Sequence, residues 1–209
     1  MSLQLRPRRV PRGRNRGRYD DRFRQYLRPI VPAPLPGTRH DGLPRMNWEI
    51  RAGGAAEAAS CMDVYVDAVR NGTAGHYTPA QALAWAPTEA VEDWLPPRLA
   101  AGTTWIAWSA TRAEGFLTVT PAGHLDFFFV RPEARASGLA AALYAHLMTW
   151  ADAQGHDHLT TDASHLARSF LEKRGWRMIA GETAIRHGVA LKRWRMDWQR
   201  PSETSGVAT

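Results

Sequence analysis

Residues 123–155 constrain the fold more tightly than any other stretch, because their hydrophobic period changes in mid-course. Leu125, Phe127 and Phe129 alternate with His124, Asp126 and Phe128, a period of two that reads as a strand. Arg131-Pro132 ends it, since proline cannot donate to a sheet ladder. From about Ser137, Leu139, Leu143, Leu147 and Trp150 or Ala151 recur at helical spacing. Between the two elements lies Arg135-Ala136-Ser137-Gly138-Leu139-Ala140. Small side chains there let backbone N–H groups approach a ligand at a helix N-terminus. Unpaired amides and the positive dipole end make an anion site suited to a pyrophosphate.

The flanking patterns supply the other layers. Trp48–Arg51 reads as a strand and Ala55–Arg70 as an amphipathic helix ended by Asn71-Gly72. Thr78 and Pro79 are an N-cap and first residue, and a further helical piece runs from Thr88 to a stop near Pro96-Pro97. Strands are expected over 103–109, 115–120, 157–162, 176–183 and 192–199, with a helix over 164–174 closed by Gly175. The order β-α-α-β-β-β-α-β-α-β-β implies an α+β domain with one central mixed sheet.

Arg135, Gly138 and Ala140 occupy the fixed positions of the pattern Gln/Arg-x-x-Gly-x-Gly/Ala. The stretch therefore resembles the acyl-CoA-binding motif of the GNAT superfamily of N-acyltransferases. Residues 161–176 are similar to a second family element, Asn-x-x-Ala-x-x-Phe-Tyr-x-x-x-Gly-Phe, with Ser164 for Asn, Leu171 for Tyr and Trp176 for the last Phe. Gly188-Val-Ala-Leu191 before a Met-bearing strand is similar to the end of a bacterial branch. The resemblance spans about 48–199 and implies a GNAT-type fold.

It also implies a function: direct transfer of an acetyl group from acetyl-CoA to a primary amine of a small molecule or peptide, without a metal. Phe128, Phe129 and Val130 would pair with the pantetheine amides like an added strand. Arg135, Ala136, Ser137, Gly138, Leu139 and Ala140 would cradle the pyrophosphate, with the Arg135 side chain lending charge, and Ser164 joins the cofactor set. Tyr77 and Trp85 fall where the family places its acceptor-side helices; ordinary core packing competes for Trp85.

An alkylammonium has a pKa of about 10.4, so presenting the free amine at pH 7 costs roughly 4–5 kcal/mol and a base is useful. His124 and Asp126 lie two residues apart on the central strand and so share a face. Related branches carry their catalytic groups at these two offsets from the Arg135 motif. Histone acetyltransferases have a glutamate at the first, and arylalkylamine N-acetyltransferases have histidines at both. His124 then acts as base, directly or through water, and Asp126 orients it or binds a cationic acceptor. In the competing reading His124 merely opens the strand after Pro121-Ala-Gly123 and Asp126 is structural. Leu171 departs from the family tyrosine that protonates the leaving thiolate, because leucine has no proton to donate.

Charge is divided sharply along the chain. Residues 1–45 hold 12 Arg and 3 Asp, net +9, which leaves −2 for residues 46–209 of the total +7. That segment also holds seven of the 14 prolines and none of the nine tryptophans, so it is expected to be a disordered basic tail ahead of a 46–209 catalytic domain. Its three readings are a solvated arm or upstream stretch ahead of Met46, a weak nucleic-acid contact through phosphates, and a transit peptide, which Pro7 and Pro11 disfavour by breaking any amphipathic helix; the second suggests a non-catalytic acyl-CoA-binding module with a tethering arm as the alternative function. No apolar run reaches about 18 residues, and no apolar signal core is present, which predicts a cytoplasmic protein off the membrane, monomeric or homodimeric. Cys61 is the single cysteine and sits on an apolar helical stripe, which points to a core thiol. His156-Asp157-His158 lacks further clustered ligands, so no metal is expected.

Overall fold

The structure is a computed structural model that describes residues 47–201; the basic segment, with its expected disorder and nucleic-acid contact, lies outside them. Seven strands form one mixed sheet in the order β1-β2-β3-β4-β5-β7-β6. They are β1 (Glu49–Gly53), β2 (Thr103–Trp108), β3 (Ala113–Val119), β4 (His124–Val130), β5 (His158–Ala163), β6 (Arg177–Arg186) and β7 (Val189–Gln199). Neighbours are antiparallel except β4 and β5, which run parallel. The expected α+β architecture with one mixed sheet is observed, with three α-helices instead of two between β1 and β2.

Helices cover both faces. On one, α1 (Ala58–Arg70) and α3 (Leu95–Ala101) bury Met62, Val66, Leu95 and Leu99 against Ile106, Phe116 and Phe127. On the other, α4 (Leu139–Gln154) and α5 (His165–Glu172) bury Leu139, Leu143, Leu147, Ala151 and Leu171 against Leu117, Val119, Leu125 and Leu159. The four-residue spacing along α4 is the helical period read from the sequence, and each fully buried leucine contributes about 1.5–3 kcal/mol. α2 (Pro79–Trp85) begins with Thr78, whose side chain accepts from the Gln81 amide while Gln81 returns a bond to the Thr78 amide.

Three expectations are corrected. Residues 88–94 are turns and bends, and Leu95-Pro96-Pro97 opens a helix instead of stopping one. Proline fits the first helical turn, where its missing N–H would have had no partner. The loop expected between 183 and 192 is a tight hairpin: His187 and Gly188 both take positive φ, 48° and 77°, the geometry of a two-residue turn. Finally, β4 does not alternate cleanly. Thr118 pairs with Phe127 but Val119 with Leu125, so Asp126 is the extra residue of a β-bulge. Leu125 consequently faces α4, while Phe127 and Phe129 face α1.

Candidate functional site

β4 and β5 are in register only at His124–Thr160 and Leu125–Thr161, where the Thr161 hydroxyl donates to the Leu125 carbonyl at 2.8 Å. Beyond this seam the two strands part. β3 holds one edge of β4 through Gly115–Val130, Phe116–Phe129 and Leu117–Phe128. The other edge, facing β5, keeps its main-chain groups unpaired by any strand along Phe128–Val130. The Phe128 and Phe170 rings meet edge to face at 5.2 Å across the gap. A cleft of about 460 Å³ fills the opening, lined by Phe128, Phe129, Val130, Ala167 and Phe170 and reaching α1 at Ala68 and Val69.

The turn into α4 closes one end of that cleft. Residues 132–137 form a 3₁₀ helix, and Gly138 then turns the chain with φ of +84°, a region that costs other L-residues about 1–2 kcal/mol. An added Cβ at Gly138 would meet no atom within 4 Å, so the glycine is required by backbone angle and not by crowding. The first helical amides have no partner within the helix, and Ala140 and Ala141 of that first turn line the cleft. The dipole makes this end attractive to an anion.

Most of the residues expected at the cofactor converge here: Arg135, Ala136, Gly138, Ala140 and Ser164 line the cleft together with Phe128–Val130. Ser137 and Leu139 do not. Leu139 is fully buried in the core, and Ser137 turns inward, its hydroxyl donating to the Ala134 carbonyl at 2.7 Å and accepting from the Leu139 amide. Ser164 caps α5, accepting from the Ala167 amide at 3.3 Å.

Arg135 has structural partners besides its place on the lining. Its guanidinium donates to the carbonyls of Gly72 at 2.6 Å and Ala68 at 3.3 Å, neutralising the C-terminal end of α1 at the rim of the cleft. Burial pushes its pKa down, with Asp67 and Glu133 opposing. The second cation on the lining is Arg174, which donates to the Phe170 carbonyl at 3.0 Å and lies 3.5 Å over the Phe170 ring. Neither Arg174 nor Ala141 stands out in the sequence; the spacing of Phe170 and Arg174, one helical turn apart before Gly175, is the signal that could have found the arginine.

His124 and Asp126 lie outside the cleft lining, at the closed end of the seam. The His124 ring meets the Thr160 hydroxyl through Nδ1 at 2.9 Å. The bulge turns Asp126 toward α3, where both its oxygens accept from Arg98, whose guanidinium lies 4.4 Å over the Phe127 ring. Asp126 is thus held by Arg98, and Thr160 is the partner of His124. Leu171 is buried in the core, so the helix position that carries the family tyrosine offers no proton. Cys61 is fully buried, and desolvation pushes its thiol up to about 12, which leaves it unreactive.

The acceptor-side pair is split. Trp85 lines the cleft, whereas Tyr77 is buried behind it, edge to face with Trp85 at 5.3 Å, and donates from its hydroxyl to the Lys192 carbonyl at 2.9 Å. Among the described residues no group of three or more His, Cys, Asp or Glu could hold a metal ion, and no helix is long and apolar enough to cross a membrane.

Comparison with known proteins gives one consistent result. Residues 73–198, more than half of the chain, match the family model of the acetyltransferase (GNAT) domain. The chain is 30% identical over 116 residues to YafP, an uncharacterized N-acetyltransferase of Escherichia coli strain K12, covering 56% of this chain and 72% of that protein. Its fold is similar to a GCN5-related N-acetyltransferase of Rhodopseudomonas palustris, with TM-score 0.66 and 27% identity over 76% of this chain and 99% of the other. It is also similar in fold to the PaiA N-acetyltransferase of Thermoplasma acidophilum in complex with coenzyme A, with TM-score 0.59 and 15% identity over 74% and 99% of the two chains.

Proposed function

The chain belongs to the GNAT acetyltransferase family, and on that premise we propose that it acetylates a primary amine by direct attack within a ternary complex held at the β4–β5 cleft. The observation that carries this reading is the unpaired edge of Phe128–Val130 running into the amide-rich start of α4, in one cavity. Main-chain N–H and C=O groups of Phe128–Val130 suit the pantetheine amides as an added strand would. The Ala140 and Ala141 amides, with the α4 dipole, suit the pyrophosphate, and Arg174 supplies the formal charge. Acetyl-CoA supplies the activated acyl group, a thioester open to an amine nucleophile.

With phosphates held at the start of α4, Phe128–Val130 would orient the thioester end toward the part of β4 that carries Asp126 and His124. His124 then takes the amine proton, directly or through a water, and the Thr160 hydroxyl fixes its ring. Asp126 contributes by anchoring Arg98 and the bulge. Leu171 gives no acid, but a thiol pKa of about 8.5 makes the thiolate an adequate leaving group. Trp85 and Tyr77 form the wall against the acceptor.

Calorimetry on the full chain with acetyl-CoA, CoA and ATP tests the reading. Micromolar binding of the first two and none of ATP is expected. Failure of acetyl-CoA to bind a folded sample overturns the assignment of the cleft.

A further inference from the structure

Next to the cofactor cleft lies a second cavity of about 220 Å³, bounded by α2, the first residue of α5 and the β6–β7 hairpin. Its framework is fastened. The Tyr77 hydroxyl donates to the Lys192 carbonyl at 2.9 Å, and the Gln81 amide nitrogen donates to the Ala190 carbonyl at 2.9 Å, so α2 is clamped to β7 on both sides of the cavity. Such a space is preformed and does not depend on a mobile loop.

Its one formal charge is the Lys192 cation, set beside two imidazoles. His76, His165 and Lys192 line it, with Thr183 beside them, and no carboxylate is among the lining residues. The two imidazoles are stacked, 5.4 Å between centroids and 18° between planes. His165 resists protonation because of partial burial and the positive charge of His76, Arg168 and Lys192 around it. An anion among these groups would relieve their mutual repulsion and accept their hydrogen bonds, whereas an ammonium would be turned away.

The position relative to the cofactor is equally specific. Tyr77 packs on Trp85, which lines the cofactor cleft, and His165 directly follows Ser164, which lines it too. The two spaces are therefore neighbours, meeting at Tyr77, Trp85 and the Ser164–His165 step. We propose that this cavity binds the carboxylate of the acetyl acceptor, so that the substrates are amino acids or related amines bearing an acid group. The acid group seated at Lys192 and the two histidines leaves the amine directed past Trp85 toward β4. This inference rests on the amine acetyltransferase reading given above and names the class of acceptor it uses.

The test compares matched pairs, an amino acid and its primary amide, in acetyl transfer by the full chain. The acids are expected to exceed their amides in kcat/KM by roughly tenfold to a hundredfold, the range of a charge-assisted hydrogen bond. Lys192→Ala is expected to raise KM for the acids about tenfold and leave the amides unchanged. Equal use of acids and amides, or an equal loss for both in the variant, overturns the proposal. An independent readout follows the His76 and His165 ring signals by NMR as N-acetylated amino acids, or their amides, are added with CoA. Shifts with the acids alone are expected. Ring shifts without any acetyl transfer would defeat the catalytic reading and keep the anion pocket; silent rings would defeat the pocket, whatever the turnover.

Discussion

The β4–β5 cleft and the cavity beside it adjoin through Tyr77 and Trp85, yet they are made of different materials. The cleft offers main-chain edges, small residues and apolar rings, with two arginines, Arg135 and Arg174, at its sides. The neighbouring cavity offers titratable side chains drawn from α2, α5 and the β6–β7 hairpin. Main-chain recognition depends on backbone path, so it tolerates many sequences and fixes a few glycines and small residues. Side-chain recognition depends on which residues meet across the fold, so it can change while the path stays the same. A shared cofactor and a variable acceptor are what this division of labour would produce.

Several substitutions would break or sharpen that contrast. The largest effect is expected from His124→Gln, the side chain proposed to move the proton: kcat should fall about 10²–10⁴-fold with acetyl-CoA affinity unchanged. Unaltered kcat would shift the proton acceptor to another group, with His165 of the second cavity the first to examine. Next comes Gly138→Asp, where a carboxylate replaces empty space at the mouth of α4. Acetyl-CoA affinity should drop at least about 100-fold by calorimetry, through charge at the anion site and backbone strain of about 1–2 kcal/mol. Gly138→Ala isolates the strain, and should lower thermal stability while largely sparing affinity.

The two arginines provide a finer comparison. Arg174→Ala should weaken acetyl-CoA binding about tenfold with little change in melting temperature. Arg135→Ala should do the reverse, losing about 1.5–3 kcal/mol of stability as the carbonyls of Ala68 and Gly72 lose their charged donor. Matching losses of affinity in both variants would return Arg135 to the phosphate site. The smallest effect concerns acid stability. Burial lowers the pKa of His146, which packs on Trp105 at 5.9 Å, and His165 is lowered as well. The unfolded chain binds these protons near the ordinary value of 6.5 and the folded chain resists them, so stability falls as pH drops below that value. Urea midpoints at about pH 7.5 and about pH 5.5 should show this slope, and His146→Phe should flatten it.

Local patterning carried much of this protein in its sequence. The period change across residues 123–155, the Thr78-Pro79 helix start and the alternation of Trp194, Met196 and Trp198 each follow from side-chain geometry within one segment. So does the small-residue turn at Gly138, because a left-handed backbone angle is a property of one residue. Tertiary structure alone decided where β4 and β5 part, since a bulge at Asp126 depends on the register of β3 against it. It also gave Arg135 to the end of α1 and Asp126 to Arg98. Those partners are separated by 63 residues in the first case and 28 in the second, and a long flexible guanidinium takes whichever unpaired oxygen the fold brings near. The same holds for the meeting of His76, His165 and Lys192, which no spacing along the chain encodes. Sequence determined the backbone path that opens the cleft, because that is a matter of local angles and periods; the fold decided which side chains face it, because that is a matter of contacts between distant elements.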